Sequence, residues 1–113
     1  MLNREAILKA QDLKTVDIKV PEWGGVVRIR TMTGIARQEY YRTTSAGKDG
    51  TPKNVMEALV VACAVDEAGN PLFSTGDIKE LSNKSAKALN RIFEAAAELN
   101  GLTQKSVDDI AGE

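Results

Sequence analysis

The first third of the chain changes from a helical to an alternating pattern of hydrophobic positions. Residues 3–12 (NREAILKAQD) predict a short helix with Asn3 as its N-cap. Residues 15–20 (TVDIKV) and 26–30 (VVRIR) then alternate between apolar and polar on either side of a turn rich in proline and glycine. This alternation predicts an antiparallel β-hairpin with one apolar and one charged face, so helices should cover its apolar face.

Two helices are predicted in the middle of the chain. The first begins at Thr33, and its predicted inner side chains are those of Ile35, Ala36 and Tyr40. The second begins at Thr51-Pro52. It is apolar nearly all round from residue 55 to residue 64, which predicts that it is the most buried helix. The alternative for its valine-rich end is a strand. The polar loop 44–51 between them is the predicted place of local disorder.

The second half of the chain adds a short hairpin and further helices. Residues 64–73 predict a hairpin around Gly69, with its apolar ends Val65, Leu72 and Phe73 turned inward. The capping box at residues 74–77 starts a short helix. The strongest helical stripe lies in residues 84–99 and consists of Leu89, Ile92, Phe93, Ala96 and Leu99. Asn100-Gly101 ends that helix, and Thr103 begins a last short one with Val107 and Ile110 inward.

These elements predict one domain that spans residues 1–113. Its fold class is α+β and mainly helical, with an N-terminal antiparallel β-hairpin, four or five helices and possible pairing of a second short hairpin around Gly69. A length of 113 residues is that of one ordinary domain.

The composition argues against catalysis. The chain has no histidine and one cysteine, so it offers no histidine base, no internal disulfide and no imidazole or thiolate metal site. Cys63 lies on the most apolar helix, where a free thiol is usually inert. The spacing around Gly47-Lys48 departs from a phosphate-binding loop, and Asp66 begins a turn without a calcium-ligand ladder. We therefore predict a non-enzymatic protein without a cofactor or metal.

The absence of long apolar runs bears on location. No such run approaches the roughly 20 residues that cross a bilayer, and the first twelve residues do not form a signal peptide. The sequence therefore predicts a cytoplasmic protein that does not enter the membrane.

The net charge of −1 conceals two halves of opposite sign. Residues 1–53 hold ten basic and six acidic residues, a net of +4, whereas residues 54–113 hold five basic and ten acidic residues, a net of −5. Opposite halves can attract each other within one fold, which we regard as the simpler interpretation, or between copies stacked head to tail.

Two surfaces are candidates for binding another protein. On the hairpin, Arg28 and Arg30 share the charged face, and Arg37 follows nearby in the sequence. Trp23 at the hairpin tip is either an anchor for a partner or a side chain whose ring folds back on the first helix. On the helix at 84–99, the outer side carries Arg91 and Glu94. The alternative is a small nucleic-acid-binding or regulatory protein that uses the basic hairpin. The chain is not basic overall and has no aromatic stacking platform there, which argues against nucleic acid.

In the order of its elements and in several sequence segments, the chain resembles the tail assembly chaperones of long-tailed, siphovirus-type bacteriophages. The similarity rests on the hairpin VDIKVPEWGGVVRIR, the T-G-x-x-R start of the next helix, VDEAGNPLFS and KSAKALNRIFEAAAELNGL, which together cover most of the chain. The resemblance implies a non-enzymatic protein that binds the tape-measure protein and helps recruit tail-tube protein subunits before it leaves the maturing tail.

The resemblance also implies self-association. Members of that family form open spiral homo-oligomers, and many have a longer form made by translational frameshifting, to which this chain would be the short counterpart. Contacts between the basic and acidic halves would suit a head-to-tail arrangement that is sensitive to salt.

Overall fold

A computed structural model describes residues 1–45 and 49–102 of the chain. The helices in these residues are α1 (Arg4–Lys9), α2 (Gly34–Thr44), α3 (Val55–Cys63), α4 (Ile78–Leu81) and α5 (Ala86–Leu99). The strands are β1 (Thr15–Val20), β2 (Gly25–Arg30) and β3 (Ala64–Val65). The mainly helical α+β fold class is therefore confirmed. The last predicted helix, from Thr103, lies outside the described residues.

The N-terminal hairpin forms as the alternation predicts. β1 pairs antiparallel with β2 so that Val16 faces Ile29 and Asp17 faces Arg28. Because side chains alternate between the faces of a strand, this register places the apolar pairs on one face and the charged pair on the other. The strands are joined by a 3₁₀ turn, Pro21–Trp23, which ends at Gly24 with a left-handed φ of 71°.

The third strand comes from the end of α3. After Cys63 the chain becomes extended, and Ala64 pairs with Ile29 of β2 to complete a sheet of order β1-β2-β3. Val65 also bridges to Pro71, which confirms the second short hairpin. The strand at the end of the apolar helix was foreseen, but its pairing with β2 was not, since a two-residue strand carries no register signal.

The core lies between the sheet, α3 and α5. The stripe predicted for α5 is confirmed: Leu89, Ile92 and Ala96 are buried, and Phe93 and Leu99 pack beside them half-buried. Ser85 caps the helix through the amide of Ala88. In α3 the side chains of Ala58, Leu59, Val60 and Cys63 are buried, as expected for the most apolar helix.

Two side chains predicted to point inward are exposed instead. Ile35 is 82% exposed, whereas Tyr40 is 2% exposed, because five residues along a helix correspond to roughly 140° of rotation, which turns Ile35 away from the core. Leu72 is 46% exposed, whereas the next residue, Phe73, is half-buried and packs against the core, because successive side chains point to opposite sides of an extended segment.

The start of α3 also differs from the prediction. Its N-cap is Asn54, in a left-handed conformation with φ of 53°, and not Thr51. The amide of Thr51 donates to Asp49, and that of Lys53 donates to the carbonyl of Thr44, so Thr51 belongs to the connection with α2. Residues 46–48, where the prediction of local disorder centres, lie outside the described residues.

Candidate protein-binding surfaces

Arg28 on the charged face of the hairpin is paired within the chain. Its guanidinium donates to both oxygens of the Asp17 carboxylate, at 2.8 and 3.1 Å. This hydrogen bonding lowers the pKa of Asp17, with the charge of Arg28 acting in the same direction. The pairing partly neutralises the face on which the nucleic-acid alternative depends, which weakens the attraction to phosphates.

The other two arginines of this region hold loops in place. Arg30 donates to the carbonyl of Gly69 at 2.8 Å and fixes the 66–70 turn beside the sheet. Arg37 donates to the carbonyl of Asn100 at 3.3 Å and ties α2 to the end of α5. Each of these arginines therefore has a structural contact.

The structure brings the hairpin tip and α5 together in one surface. Arg91 donates to both oxygens of Glu22, at 3.0 and 3.2 Å, and Glu94 lies one turn further along α5, where it accepts from Asn90 at 3.0 Å. Trp23 is half-buried and packs against the core, whereas α1 has no buried residue. We call Glu22, Trp23, Arg91 and Glu94 the hairpin-tip surface; as partner contacts, the six residues named from the sequence remain predictions.

A second surface was not foreseen from the sequence. A groove of about 310 Å³ opens between α2, the end of α3 and the segment 71–78, and we call it the α2–α3 groove. Its lining includes the small side chains of Ala36, Ala58, Ala62 and Ala64. The groove is open because these four residues are alanines, since longer side chains at the same positions would fill it. Ile35 also lines the groove, and its exposure of 82% indicates that it lies at the mouth.

Residues 1–13, which we call the N-terminal arm, present apolar side chains to solvent. α1 has no buried residue, and Leu2, Ile7 and Leu8 are 74%, 56% and 67% exposed. The helix is nevertheless capped, since Asn3 accepts a hydrogen bond from the amide of Ala6 at 2.9 Å. The cap was predicted correctly, but the sequence pattern could not show that the arm lacks a packing partner in the body of the protein.

The cysteine lies in a buried polar cluster rather than at a surface. Cys63 is fully buried, and Asn100 donates to its sulfur at 3.4 Å. Burial raises the pKa of the thiol to about 11, and likewise raises that of Tyr40 to about 12. Among residues 1–45 and 49–102, no group of three or more His, Cys, Asp or Glu is placed to hold a metal ion.

We expect the thiol of Cys63 to resist modification in the folded protein. A raised pKa keeps the sulfur as the unreactive thiol, and burial excludes the reagent. With a chromogenic disulfide reagent at pH 8, native protein should react at least about a hundredfold more slowly than protein in 8 M urea, because native reaction requires opening. Equal rates would show that the thiol is accessible.

None of the helices in residues 1–45 and 49–102 has the length and hydrophobicity needed to cross a bilayer. The described fold is instead an α+β domain whose candidate sites are surfaces for other proteins, with a half-buried tryptophan at one and an apolar groove at the other.

The same fold occurs in the tail assembly chaperone of bacteriophage HK97. The two structures match with a TM-score of 0.60 over 84% of this chain and 90% of the other, at 18% sequence identity. The resemblance inferred from the sequence is thereby confirmed at the level of the fold. No family model and no curated protein sequence matches the chain.

Proposed function

We propose that this protein is a phage tail assembly chaperone that acts in the cytoplasm of the bacterial host. The observation that carries the proposal is the shared fold over 84% of the chain with a protein of that role. In this role it binds the tape-measure protein, keeps it soluble, helps recruit tail-tube subunits and is absent from the mature virion. It works by binding in many copies, without catalysis.

The hairpin-tip surface supports binding to an extended helical partner. A half-buried tryptophan presents a rigid aromatic face, and Arg91 and Glu94 flank it with both signs of charge. The Glu22–Arg91 pair connects the tip to α5, so the surface is built on two elements that cannot move independently without breaking that pair. Such a preorganised surface loses little entropy on binding.

Co-expression with the tape-measure protein encoded in the same genome tests this function. We expect the tape-measure protein to pass from the pellet to the soluble fraction and to co-purify with the chaperone. Glu94→Lys should weaken the captured complex by about fivefold or more, because it inverts a charge in the proposed contact.

Glu80→Lys is the matched control, since it makes the same charge change at an exposed residue of α4 and should leave capture within about twofold of wild type. A tape-measure protein that stays insoluble with wild-type chaperone would contradict the function. Equal loss in both variants would contradict only the assignment to the hairpin-tip surface.

A further inference from the structure

The molecule carries two apolar surfaces that are complementary and both unoccupied within the described residues. One is the N-terminal arm and the other is the α2–α3 groove. We propose that the arm of one copy binds in the groove of the next copy. The inference rests on the self-association that belongs to the proposed function, and it names the contact by which copies join.

The arm is too short to be stable without a partner. An isolated helix of fewer than about 12 residues is marginal in water, and α1 has six. Its Asn3 cap and the acid Glu5 in its first turn favour the helix, but no residue from 1 to 17 is buried. Docking would both order the helix and remove Leu2 and Leu8 from water.

The groove has the size and chemistry to receive such side chains. Its volume of about 310 Å³ is within the range of sites that hold small ligands. The lining is mostly aliphatic or aromatic, with Val61, Val65 and Phe73 beside the alanines. Water in such a groove makes few hydrogen bonds, so its release by a leucine side chain is favourable.

The charges near the two surfaces are also complementary. The lining itself contains one basic and one acidic residue, Arg30 and Glu39, whose charges offset each other. Residues 64–78, which border the groove, add Asp66, Glu67 and Asp77 and no lysine or arginine. Within the arm, α1 carries Arg4 and Lys9 against Glu5, a net charge of +1. A positively charged α1 beside an acidic border favours association at low salt and sets one orientation over its reverse.

The geometry of this contact determines the kind of assembly. The arm and the groove are different surfaces, so each copy offers one of each and contacts two neighbours. Such heterologous contacts give open chains or helices unless the rotation between copies happens to close a ring.

Sedimentation of two matched variants tests the contact in the full-length chain. Leu8→Glu disables the arm, and Ile35→Glu disables the mouth of the groove; both residues are highly exposed, so neither change should disturb the fold. Val26→Glu is the control, because Val26 is 59% exposed on the hairpin and lies outside the groove. Circular dichroism confirms that the three variants fold alike.

Wild type and Val26→Glu are expected to grow in mass beyond a dimer as concentration rises. Leu8→Glu alone and Ile35→Glu alone should each associate at least about tenfold more weakly than wild type, because a carboxylate would have to be buried. Mixed in equal amounts, they should form a one-to-one dimer and nothing larger, since one supplies the intact groove and the other the intact arm.

Three results would overturn the proposal. Wild type could remain monomeric up to about 1 mM, a concentration at which even a contact of about 4 kcal/mol is half occupied. The two variants could assemble as wild type does, which would place the contact elsewhere. The mixture could stay monomeric although wild type associates, which would show that an intact arm and an intact groove are not enough to join two copies. No tape-measure protein is present in this experiment, so its outcome is separate from that of the solubility test.

Discussion

Raising the pH from 8 to 12 is expected to lower the free energy of unfolding by about 5 kcal/mol, because two buried groups resist ionisation in the folded state. Burial raises the pKa of Cys63 from 9.0 to about 11 and that of Tyr40 from 10.0 to about 12. Each shift corresponds to about 3 kcal/mol at most, since one pKa unit is about 1.4 kcal/mol.

The direction follows from which form each state prefers. Below pH 9 both groups are neutral in the folded and the unfolded chain, and the full stability is present. Above the unfolded pKa of each group, the unfolded chain loses a proton that the folded protein keeps, so stability falls until the folded pKa is reached. The loss therefore runs from about pH 9 to 11 for Cys63 and from about pH 10 to 12 for Tyr40.

Urea unfolding followed by circular dichroism at several alkaline pH values measures this slope. Cys63→Ala should flatten the slope between pH 9 and 11, and Tyr40→Phe that between pH 10 and 12. Tyr41 lies beside Tyr40 and its charge adds to the raised pKa, so Tyr41→Phe should flatten the slope less than Tyr40→Phe does. Identical slopes in wild type and in Tyr40→Phe would contradict the assignment.

Tyr40→Phe has a second expected effect at neutral pH. The hydroxyl of Tyr40 is buried without a hydrogen-bond partner in the described part of the chain. Its removal should leave the packing of the ring intact and raise the stability by about 1 kcal/mol, because no hydrogen bond is lost. A fall in stability would show that the hydroxyl is bonded, for example to a buried water.

Asn100→Ala is expected to lower the free energy of unfolding by about 2–4 kcal/mol, because several contacts converge on this side chain. Its carbonyl oxygen accepts from the amide of Met32 at 2.7 Å. Its amide nitrogen donates to the carbonyl of Ala96 at 2.8 Å and to the sulfur of Cys63 at 3.4 Å. Without it, the amide of Met32, in a residue only 8% exposed, loses its partner.

Asn90→Ala provides the matched control on the same helix. Asn90 donates to Glu94 at the surface, so its removal should cost no more than about 0.5 kcal/mol. The same urea titration at pH 7.5 measures both variants. A loss at Asn100 as small as that at Asn90 would mean that water replaces the asparagine at the Met32 amide.

The parts of the fold that the sequence predicted are those with a strong local period. The alternation of residues 15–20 and the stripe from Leu89 to Leu99 locate the hairpin and α5 because each pattern repeats over several residues. Ile35 shows the limit: its residue type suggested the core, but its angular position relative to Tyr40 decided its exposure. Residue type alone is a weaker guide than position on the helix.

The candidate surfaces were harder to predict because they depend on distant contacts. Asn100 was recognised as a helix stop, yet its role as a connector requires Met32 and Cys63, which lie 68 and 37 residues away. The groove depends on alanines from two helices and a strand, which carry no chemical signal in the sequence. Arg91 was named from the outer side of its helix, but its contact with Glu22 at the hairpin tip joins residues that lie 69 positions apart.

Thr31 and Met32, which directly follow β2, contact two segments that lie far apart in the sequence. Lys14 and Thr31 exchange contacts, since the amide of Thr31 donates to the carbonyl of Lys14, while the next residue, Met32, donates to the side chain of Asn100. Consecutive α-carbons are about 3.8 Å apart, so Lys14 and Asn100 are held by two neighbouring residues. A change of backbone conformation at Thr31 or Met32 would therefore loosen the entry into β1 and the end of α5 together.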